Sequence, residues 1–163
     1  MITTEVRNKI IEQIYNHLLI PVIPSDEDAD IPERPYVVYS ITSDYNKNGQ
    51  DAITYKDGID HIVEQYENLV EATYSFSVHS DSRDEAMNTC YSLIDFFDRT
   101  GRDALSADGI TVVSISNVQN RSVLLVDHYE RRFGADVRFR YLARTEHKND
   151  YIEQANIKNT GGI

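Results

Sequence analysis

Apolar residues recur at helical spacing in two segments of the chain. The first segment follows Thr3 and Thr4, either of which can cap a helix, and it ends before Pro21, which cannot continue one. One face of this helix carries Val6, Ile10, Ile14 and Leu18, with Ile11 beside them. The second segment, residues 84–97, ends before Gly101 and has an apolar stripe made of Ala86, Cys90, Leu93, Ile94 and Phe97. The pattern predicts two amphipathic helices that each bury one face.

Four further segments have the alternation, or the β-branched and aromatic composition, of strands. They are residues 36–41, 66–80, 110–118 and 130–144. The two longest alternate strictly, so each has one buried face and one wetter face. In the last strand the wetter face carries Asp136, Arg138, Arg140 and Arg144. Ile53 and Tyr55 precede the turn pair Asp57-Gly58, which indicates a hairpin within residues 44–65.

This order of elements predicts an α+β fold. We expect a mainly antiparallel sheet of four to five strands with two helices packed on one face, plus a protruding hairpin or loop. Residues 1–145 form the single domain, and residues 146–163 form an extended C-terminal tail that is flexible or ordered by a partner. Residues 21–35 hold all four prolines and an acidic run, so we predict a surface connection without strands there.

The composition of the chain limits the classes of protein to which it can belong. The chain has 163 residues, of which 40% are hydrophobic and 26% charged, as expected for one globular domain. Its formal net charge of −11 argues against a broad basic face for nucleic acid. The single cysteine, Cys90, allows no internal disulfide. The N-terminal residues lack the order of a signal peptide, and no apolar stretch near them is long enough to span a membrane, so we expect synthesis in the cytosol.

The candidate metal-binding and catalytic residues do not have the spacing that such sites require. Asp26, Asp28 and Asp30 resemble the opening of a calcium-binding loop, but the sixth and twelfth positions are Ile31 and Val37 instead of glycine and glutamate. The five histidines lack partners at zinc-ligand spacing. The sequence contains no nucleophile elbow, Walker loop or dinucleotide-binding glycine motif. We therefore predict no catalytic, metal or cofactor site, and we expect that the protein is not an enzyme.

A cluster of charges, Glu130-Arg131-Arg132, marks the start of the last strand. Two readings of this cluster stay open. The arginines could form ion pairs at the surface of their own chain, each contributing under about 1 kcal/mol. Alternatively, their guanidinium groups could hold carboxylates of a neighbouring subunit. The other candidates for subunit or partner contacts come from the hairpin and the tail, and they are Tyr45, Ile53, Tyr55 and Tyr151.

Several motifs in a fixed order resemble the neck or tail terminator proteins of tailed bacteriophages. A short amphipathic helix precedes the proline-bearing segment Arg34-Pro35-Tyr36-Val37-Val38-Tyr39. The strand 72–80 then leads into the helix 84–97, which is followed by Gly109-Ile110-Thr111-Val112-Val113. The series closes on Tyr129-Glu130-Arg131-Arg132-Phe133-Gly134-Ala135-Asp136-Val137. The resemblance covers residues 5–145, whereas the acidic run 26–30 and the residues after 145 have no recognised counterpart.

The resemblance implies a structural function without catalysis or cofactors. It implies a homohexameric ring that ends the tail tube and joins it to the head-side connector or stopper protein. In contractile phages the same ring also helps to anchor the tail sheath. Genomic DNA would pass through the lumen without sequence-specific binding, and no membrane is involved. The implied location is the neck of the virion, after synthesis in the cytoplasm of the host bacterium.

Other functions remain compatible with the same residues. Another head–tail joining or tube ring protein, such as a stopper or a tail completion protein, would use the same small α+β body. An acidic mimic of DNA that inhibits a host protein would explain the net charge, although the carboxylates are mixed with Lys and Arg along the chain. A small hydrolase would need a motif that the sequence lacks. Ring formation distinguishes the virion proteins from the last two classes.

Overall fold

The computed structural model describes residues 3–28, 30–59 and 61–150. Within them lie the α-helices α1 Thr3–Leu18, α2 Arg83–Asp95 and α3 Arg102–Ala107, and a π-helical segment, Phe96–Thr100, joins α2 to α3. The strands are β1 Val22–Pro24, β2 Tyr36–Lys47, β3 Ala52–Asp57, β4 His61–Ser80, β5 Ile110–Ile115, β6 Gln119–Asn120, β7 Val123–Leu124 and β8 Tyr129–Asp150. No helix in these ranges is long and apolar enough to cross a membrane.

The two longest strands, β4 and β8, form the centre of the sheet. They pair antiparallel over the whole of β4, from His61 opposite Asp150 to Ser80 opposite Arg131. The edge of β4 that faces away from β8 pairs with β3 over one part of its length and with β2 over another part. The edge of β8 that faces away from β4 pairs with β7, β6 and β5 along its length. β1 runs parallel to β2. Across its widest part the sheet therefore has the strand order β1-β2-β4-β8-β5.

Alternate residues of the strands face the helices and form the hydrophobic core. Phe76 of β4 and Phe139 of β8 meet Phe97, which follows α2, and the ring centroids of Phe97 and Phe139 lie 5.4 Å apart in an edge-on arrangement. The helices contribute the buried side chains of Val6, Ile10, Ile14, Ala86, Cys90, Leu93 and Leu105. Because all of these residues belong to one core cluster, the three helices pack on the same face of the sheet.

The α+β class is confirmed, while the sheet differs from the prediction. It has eight strands rather than four to five, and it is mixed because β1 is parallel to β2. β1 lies within residues 21–35, for which we predicted no strand. It forms the sheet edge, where a proline is tolerated because its missing N–H is not needed. β1, β6 and β7 have only two or three residues each, which is too short for periodicity to detect.

The helical region after β4 is more broken than we predicted. α2 begins after Ser82, whose side chain accepts a hydrogen bond from the backbone N–H of Glu85. The predicted end at Gly101 is instead the junction between the π-helical segment and α3. A β-carbon at Gly101 would come within 2.1 Å of the Phe96 ring. Glycine is therefore required by the close approach of this ring, in addition to its usual place at a helix end.

Three strands continue past the core as a β-arm, which we define as residues 52–57, 61–69 and 144–150. None of the described arm residues belongs to the core cluster, and all six residues of β3 are exposed. The antiparallel pairing of β3 with β4 agrees with the hairpin predicted within residues 44–65. The third strand of the arm was not predicted. β8 continues past the domain boundary expected at residue 145 and ends at Asp150.

Candidate functional site

The face of the sheet opposite the helices, here called the open face, is polar and carries cross-strand ion pairs. The Nε atom of Arg140 donates to Glu71 at 3.0 Å, and that of Arg144 donates to Glu67 at 2.6 Å. Each pair stands directly opposite in the register of β4 and β8. These arginines lie on the wetter face, as the alternation predicted. Their charges are compensated within the chain, so this part of the open face offers a neutralised surface.

Glu130 is nearly buried at one end of the open face and binds three side chains. Only 8% of the residue is exposed. Its Oε1 atom accepts a hydrogen bond from Arg34 at 3.3 Å and lies 3.1 Å from Nδ1 of His79, while its Oε2 atom accepts one from Nε of Arg132 at 3.1 Å. Tyr36 stacks on the His79 ring. This Glu130 cluster ties the segment before β2 to the ends of β4 and β8.

The pKa values in the Glu130 cluster follow from burial and pairing. Burial lowers the pKa of His79, and the opposing effect of its hydrogen bond to Glu130 is smaller. Burial alone would raise the pKa of Glu130, but the hydrogen bonds from Arg132 and His79 hold it below its ordinary value. At neutral pH the cluster therefore contains an ionised Glu130 and a neutral His79.

A second polar cluster forms where Arg121 crosses the open face. Its guanidinium donates to Oγ of Ser75 at 2.7 Å and to Oδ1 of Asp136 at 2.9 Å. Gly134 leaves the space for this crossing, since a β-carbon there would lie 2.9 Å from Nη1 of Arg121 and 2.3 Å from the carbonyl oxygen of Phe76. Burial would raise the pKa of Asp136, but the bonds from Ser75 and Arg121 hold it below its ordinary value.

A groove of about 570 Å³ lies on the open face beside β1, and we call it the β1 groove. Its floor is formed by β2 and β4, and its wall by Ile23, Pro24, Ser25, Glu27, Asp28 and Ile31. The apolar part of the lining consists of Ile23, Pro24, Ile31, Tyr36 and Val38. Glu27 and Asp28 lie in the same wall, and the Glu130 cluster lines the other end. The groove is thus apolar near the sheet edge and acidic at its rim.

The connection from β7 to β8 exposes an aliphatic hairpin tip, residues 123–129, which we call the β7 tip. The four consecutive residues Val123-Leu124-Leu125-Val126 are each at least 40% exposed. The hairpin is ordered: Val123 lies opposite Glu130, Leu124 lies opposite Tyr129, and the N–H of Leu125 donates to the His128 carbonyl at 2.8 Å. A contiguous apolar patch held out by hydrogen-bonded backbone is typical of a surface that another molecule covers.

The β-arm and the adjoining part of β2 expose a second apolar region. Ile53 and Tyr55 lie on the same side of β3 and are 48% and 65% exposed. Tyr45 lies in β2 between Ser43 and Asn46, where the pairing register shifts, and its φ angle is 53°. A tyrosine in this left-handed conformation costs on the order of 1 kcal/mol or more. Such irregularities re-aim side chains, and Tyr45 is 43% exposed here.

The predicted contact residues do not form one site. Tyr45, Ile53 and Tyr55 lie in or next to the β-arm, whereas Glu130, Arg131 and Arg132 lie at the opposite end of β8. Arg132 is paired with Glu130 inside the chain. The guanidinium of Arg131 instead lies over the Tyr129 ring, 4.6 Å from its centroid. Tyr151 lies outside the residues that the structure describes.

Sequence reasoning gave no role to the side chains of Arg34 and Arg121, and it did not single out the apolar residues of the β7 tip. The tip left a signal, because Val123-Leu124-Leu125-Val126 is an apolar run that no predicted strand explained. The two arginines left none. Arg34 reaches Glu130, which is 96 positions away, and Arg121 reaches Ser75, which is 46 positions away. No local pattern encodes partners at such distances.

The described side chains form surfaces suited to contacts with other molecules rather than sets of reactive or metal-binding groups. Cys90 is fully buried, and burial raises the pKa of its thiol to about 11, which keeps it protonated and unreactive. Among the described residues, no group of three or more His, Cys, Asp or Glu side chains could hold a metal ion. The β7 tip, the β1 groove and the β-arm remain as the candidate functional regions.

Comparison with known families identifies the chain. A family model described as phage neck terminator protein matches residues 6–163. The chain belongs to this family. A comparison of this neck terminator protein with curated proteins found no match. The family match confirms the resemblance drawn from the sequence. It also extends that resemblance, because it includes the acidic run 26–30 and the residues after 145, for which no counterpart had been recognised.

Membership in this family assigns the chain a structural function in joining the phage head to the tail. Neck terminator proteins are in general structural and not enzymatic, which agrees with the reading of the candidate regions as contact surfaces. The protein accordingly acts at the neck of the virion, and it interacts with other head or tail proteins of the phage.

Proposed function

We propose that this neck terminator protein assembles into a homohexameric ring that ends the tail tube and joins it to the head-side connector or stopper. The observation that carries the proposal is the family match over residues 6–163. A ring closed by rotation needs two different surfaces on each subunit, because each copy contacts its two neighbours differently. The separate exposed regions of this chain are compatible with that requirement. The protein would be made in the host cytoplasm and then incorporated into the virion.

The regions left over after ring closure would contact the adjoining rings. In this proposal the β-arm, with Tyr45, Ile53 and Tyr55, binds the tail tube or the connector. The residues after the arm, from Tyr151 onward, bind a further partner, which is the sheath in a contractile tail. These assignments follow from exposure of the arm and from the polar composition of the chain's end.

Genomic DNA would pass through the lumen of the ring without specific binding. The net charge of −11 suits this role, because an acidic wall repels phosphates and so prevents the DNA from adhering during passage. A ring structure whose channel wall is basic would contradict this part of the proposal.

The mass of the purified protein in solution tests the ring. Light scattering at rising concentration, combined with negative-stain imaging, should show closed six-fold rings, either alone or on the ends of added tail tubes. A protein that stays monomeric even with tubes present would contradict the proposal. Rings that bind a head-side connector but no tube ends would favour a stopper, and tight binding to a basic host protein without rings would favour a DNA mimic.

Truncation after Asp150 tests the role of the last residues. This variant keeps all of β8 and removes Tyr151, and its thermal unfolding is compared with that of the full chain to check that the domain is folded. The truncated protein should lose binding to one adjoining ring protein in a pull-down, while full-length protein serves as the control. Complete virions assembled with the truncated protein would exclude this segment from the proposed contact.

A further inference from the structure

We propose that the β7 tip of one subunit docks in the β1 groove of the next copy. The inference rests on the proposed ring and names the contact that closes it. The tip is the aliphatic hairpin at residues 123–129, and the groove is the cavity on the open face whose wall includes Ile23 and Ile31.

The β7 tip has the properties of an inserting element. Val126 at its turn is 106% exposed and Leu124 is 63% exposed, so both side chains present most of their surface to water. The hairpin backbone is already hydrogen-bonded, so little further ordering is needed on binding. Removal of these aliphatic side chains from water would favour association.

The β1 groove can accept such an element. Its cavity of about 570 Å³ has room for several side chains, and Ile23, Pro24 and Val38 supply an apolar surface beside β1. Ile31 on the same wall is 75% exposed, which shows that the groove is not closed by its own subunit. An aliphatic tip in this position would cover Ile31, and the apolar surface of the tip itself would be removed from water at the same time.

The β7 tip and the apolar end of the β1 groove lie on opposite sides of the β4–β8 pair, while the other end of the groove reaches Glu130 and Arg132 of β8, beside β7. β1 is the edge strand on one side, whereas β7 pairs with β8 on the side away from β4. Strand spacing of about 4.8 Å over the intervening strands separates these edges by roughly 20 Å. A contact between opposite edges of successive copies is heterologous, and heterologous contacts are the kind that generate rings.

Charge favours a second copy as the occupant. Arg131 adjoins the tip and stacks on Tyr129, but it forms no ion pair with any residue that the structure describes. The groove wall carries Glu27 and Asp28, which likewise form no ion pair in the described part of the chain. Docking of the tip would bring an uncompensated cation toward uncompensated carboxylates.

Paired cysteines test the contact directly. A Val126→Cys variant is mixed with an Ile31→Cys variant, and the mixture is oxidised under conditions in which the wild type assembles, with tail tubes added if rings need them. The native Cys90 is buried and does not compete. We expect disulfide-linked dimers in at least about tenfold higher yield than for a control pair of Val126→Cys with Tyr91→Cys, because docking raises the local thiol concentration. The chain carrying both Val126→Cys and Ile31→Cys should give a ladder up to the full ring.

The outcomes separate this inference from the proposed function. Rings without cross-linking above the control would overturn the docking and leave the hexamer intact. Cross-linking without closed rings would support the docking and contradict the hexamer. Assembly of a Leu124→Asp/Val126→Asp variant into normal rings would also overturn the docking, provided that its thermal unfolding matches the wild type.

Charge reversal gives an independent readout. Arg131→Glu should weaken assembly, as should Asp28→Arg, and the two changes combined should restore part of the loss. Equal assembly by all three variants would contradict the charge contribution. A tip that instead binds an adjoining ring protein would appear as normal rings that no longer associate with that protein, which would overturn the proposed occupant.

Discussion

The two faces of the central β4–β8 pair differ sharply, although the same two strands form both. On the helix-covered face, Tyr74, Phe76 and Phe139 are fully buried, and the rings of Phe76 and Phe139 meet at right angles. On the open face, the intervening residues are polar and are joined by pairs such as Arg140 with Glu71. Successive side chains of a strand point to opposite faces, so each strand supplies an aromatic core and an ion-paired surface.

This difference means that the residues that stabilise the subunit are distinct from the residues that are available for assembly. A buried aromatic side chain contributes several kcal/mol to stability, on the order of 3–5 when truncated to alanine. An exposed ion pair contributes only about 0–1 kcal/mol. The fold of the subunit therefore depends on the helix-covered face. The open face, the β7 tip and the β-arm can be altered without unfolding it, which leaves them available for contacts in the neck.

The largest expected effect is on the helix-covered face. Phe97→Ala should lower the free energy of unfolding by about 3–5 kcal/mol, because Phe97 packs against both Phe76 and Phe139 and its removal leaves a cavity. Urea denaturation measures this loss. The control is Tyr91→Ala on the adjoining helix α2, which is exposed and should change stability by less than about 0.5 kcal/mol. Similar losses for both variants would contradict the assignment of stability to this face.

An intermediate effect is expected in the Glu130 cluster. Glu130→Gln removes the charge that Arg34, Arg132 and His79 share, so stability should fall by about 1–3 kcal/mol. Asp81→Asn is the matched control, since Asp81 also binds Arg34 but its side chain is 82% exposed. We expect a loss below about 1 kcal/mol for this control. If the control were as destabilising as Glu130→Gln, burial would not explain the strength of the cluster.

Acid should weaken the open face selectively. The pKa of His79 is lowered by burial, so the unfolded chain binds this proton first as pH falls below about 6.5. The pKa of Glu130 is also lowered, so its contribution is present above about pH 4.5 and is lost as pH falls through the folded value. The free energy of unfolding should therefore decrease from about pH 6.5 downward. Urea titrations across this range measure the slope, and His79→Gln should abolish only its upper part.

The smallest effect on stability is expected in the β-arm. Ile53→Ser and Tyr55→Ser should each change the free energy of unfolding by less than about 0.5 kcal/mol, because both side chains are exposed. In the proposed function the same variants lose binding to an adjoining ring in co-sedimentation with tail tubes or connectors. Tyr15→Ser on α1 is the control, because Tyr15 is exposed outside the arm. Normal binding by the arm variants would remove the arm from the proposed contact.

Strict periodicity accounts for the parts of the fold that sequence reasoning predicted. The α1 stripe and the alternation of residues 70–78 each repeat a single burial pattern over several turns or residue pairs, and both patterns appear in the structure. The short strands β1, β6 and β7 and the π-helical segment were not predicted. β1 and the π-helical segment depend on other segments of the chain, since β1 pairs with β2 and Phe97 packs against Phe76 and Phe139. β6 and β7 pair with the nearby strand β8, and they are too short to show a periodic pattern.

The candidate contact residues likewise divide into those that the sequence indicated and those that only the structure could distinguish. Ile53, Tyr55 and residues 130–132 were predicted as contact residues because these side chains stand near turn or charge signals. The chain alone could not distinguish the buried pairing of Arg132 with Glu130 from the outward position of Arg131, although the two arginines are adjacent. Their difference arises because successive residues of β8 point to opposite faces, and only one face meets Arg34 and His79.

The sequence by itself determined the class of the fold, the face that each long element buries, and membership in the neck terminator family. These properties follow from local periodicity and from the order of motifs along the chain. Only the tertiary structure decided which charges are compensated within the subunit and which apolar residues stay uncovered. That decision depends on register, because the alignment of β4 with β8 brings together residues dozens of positions apart. It leaves the β7 tip and the apolar end of the β1 groove on opposite sides of the β4–β8 pair.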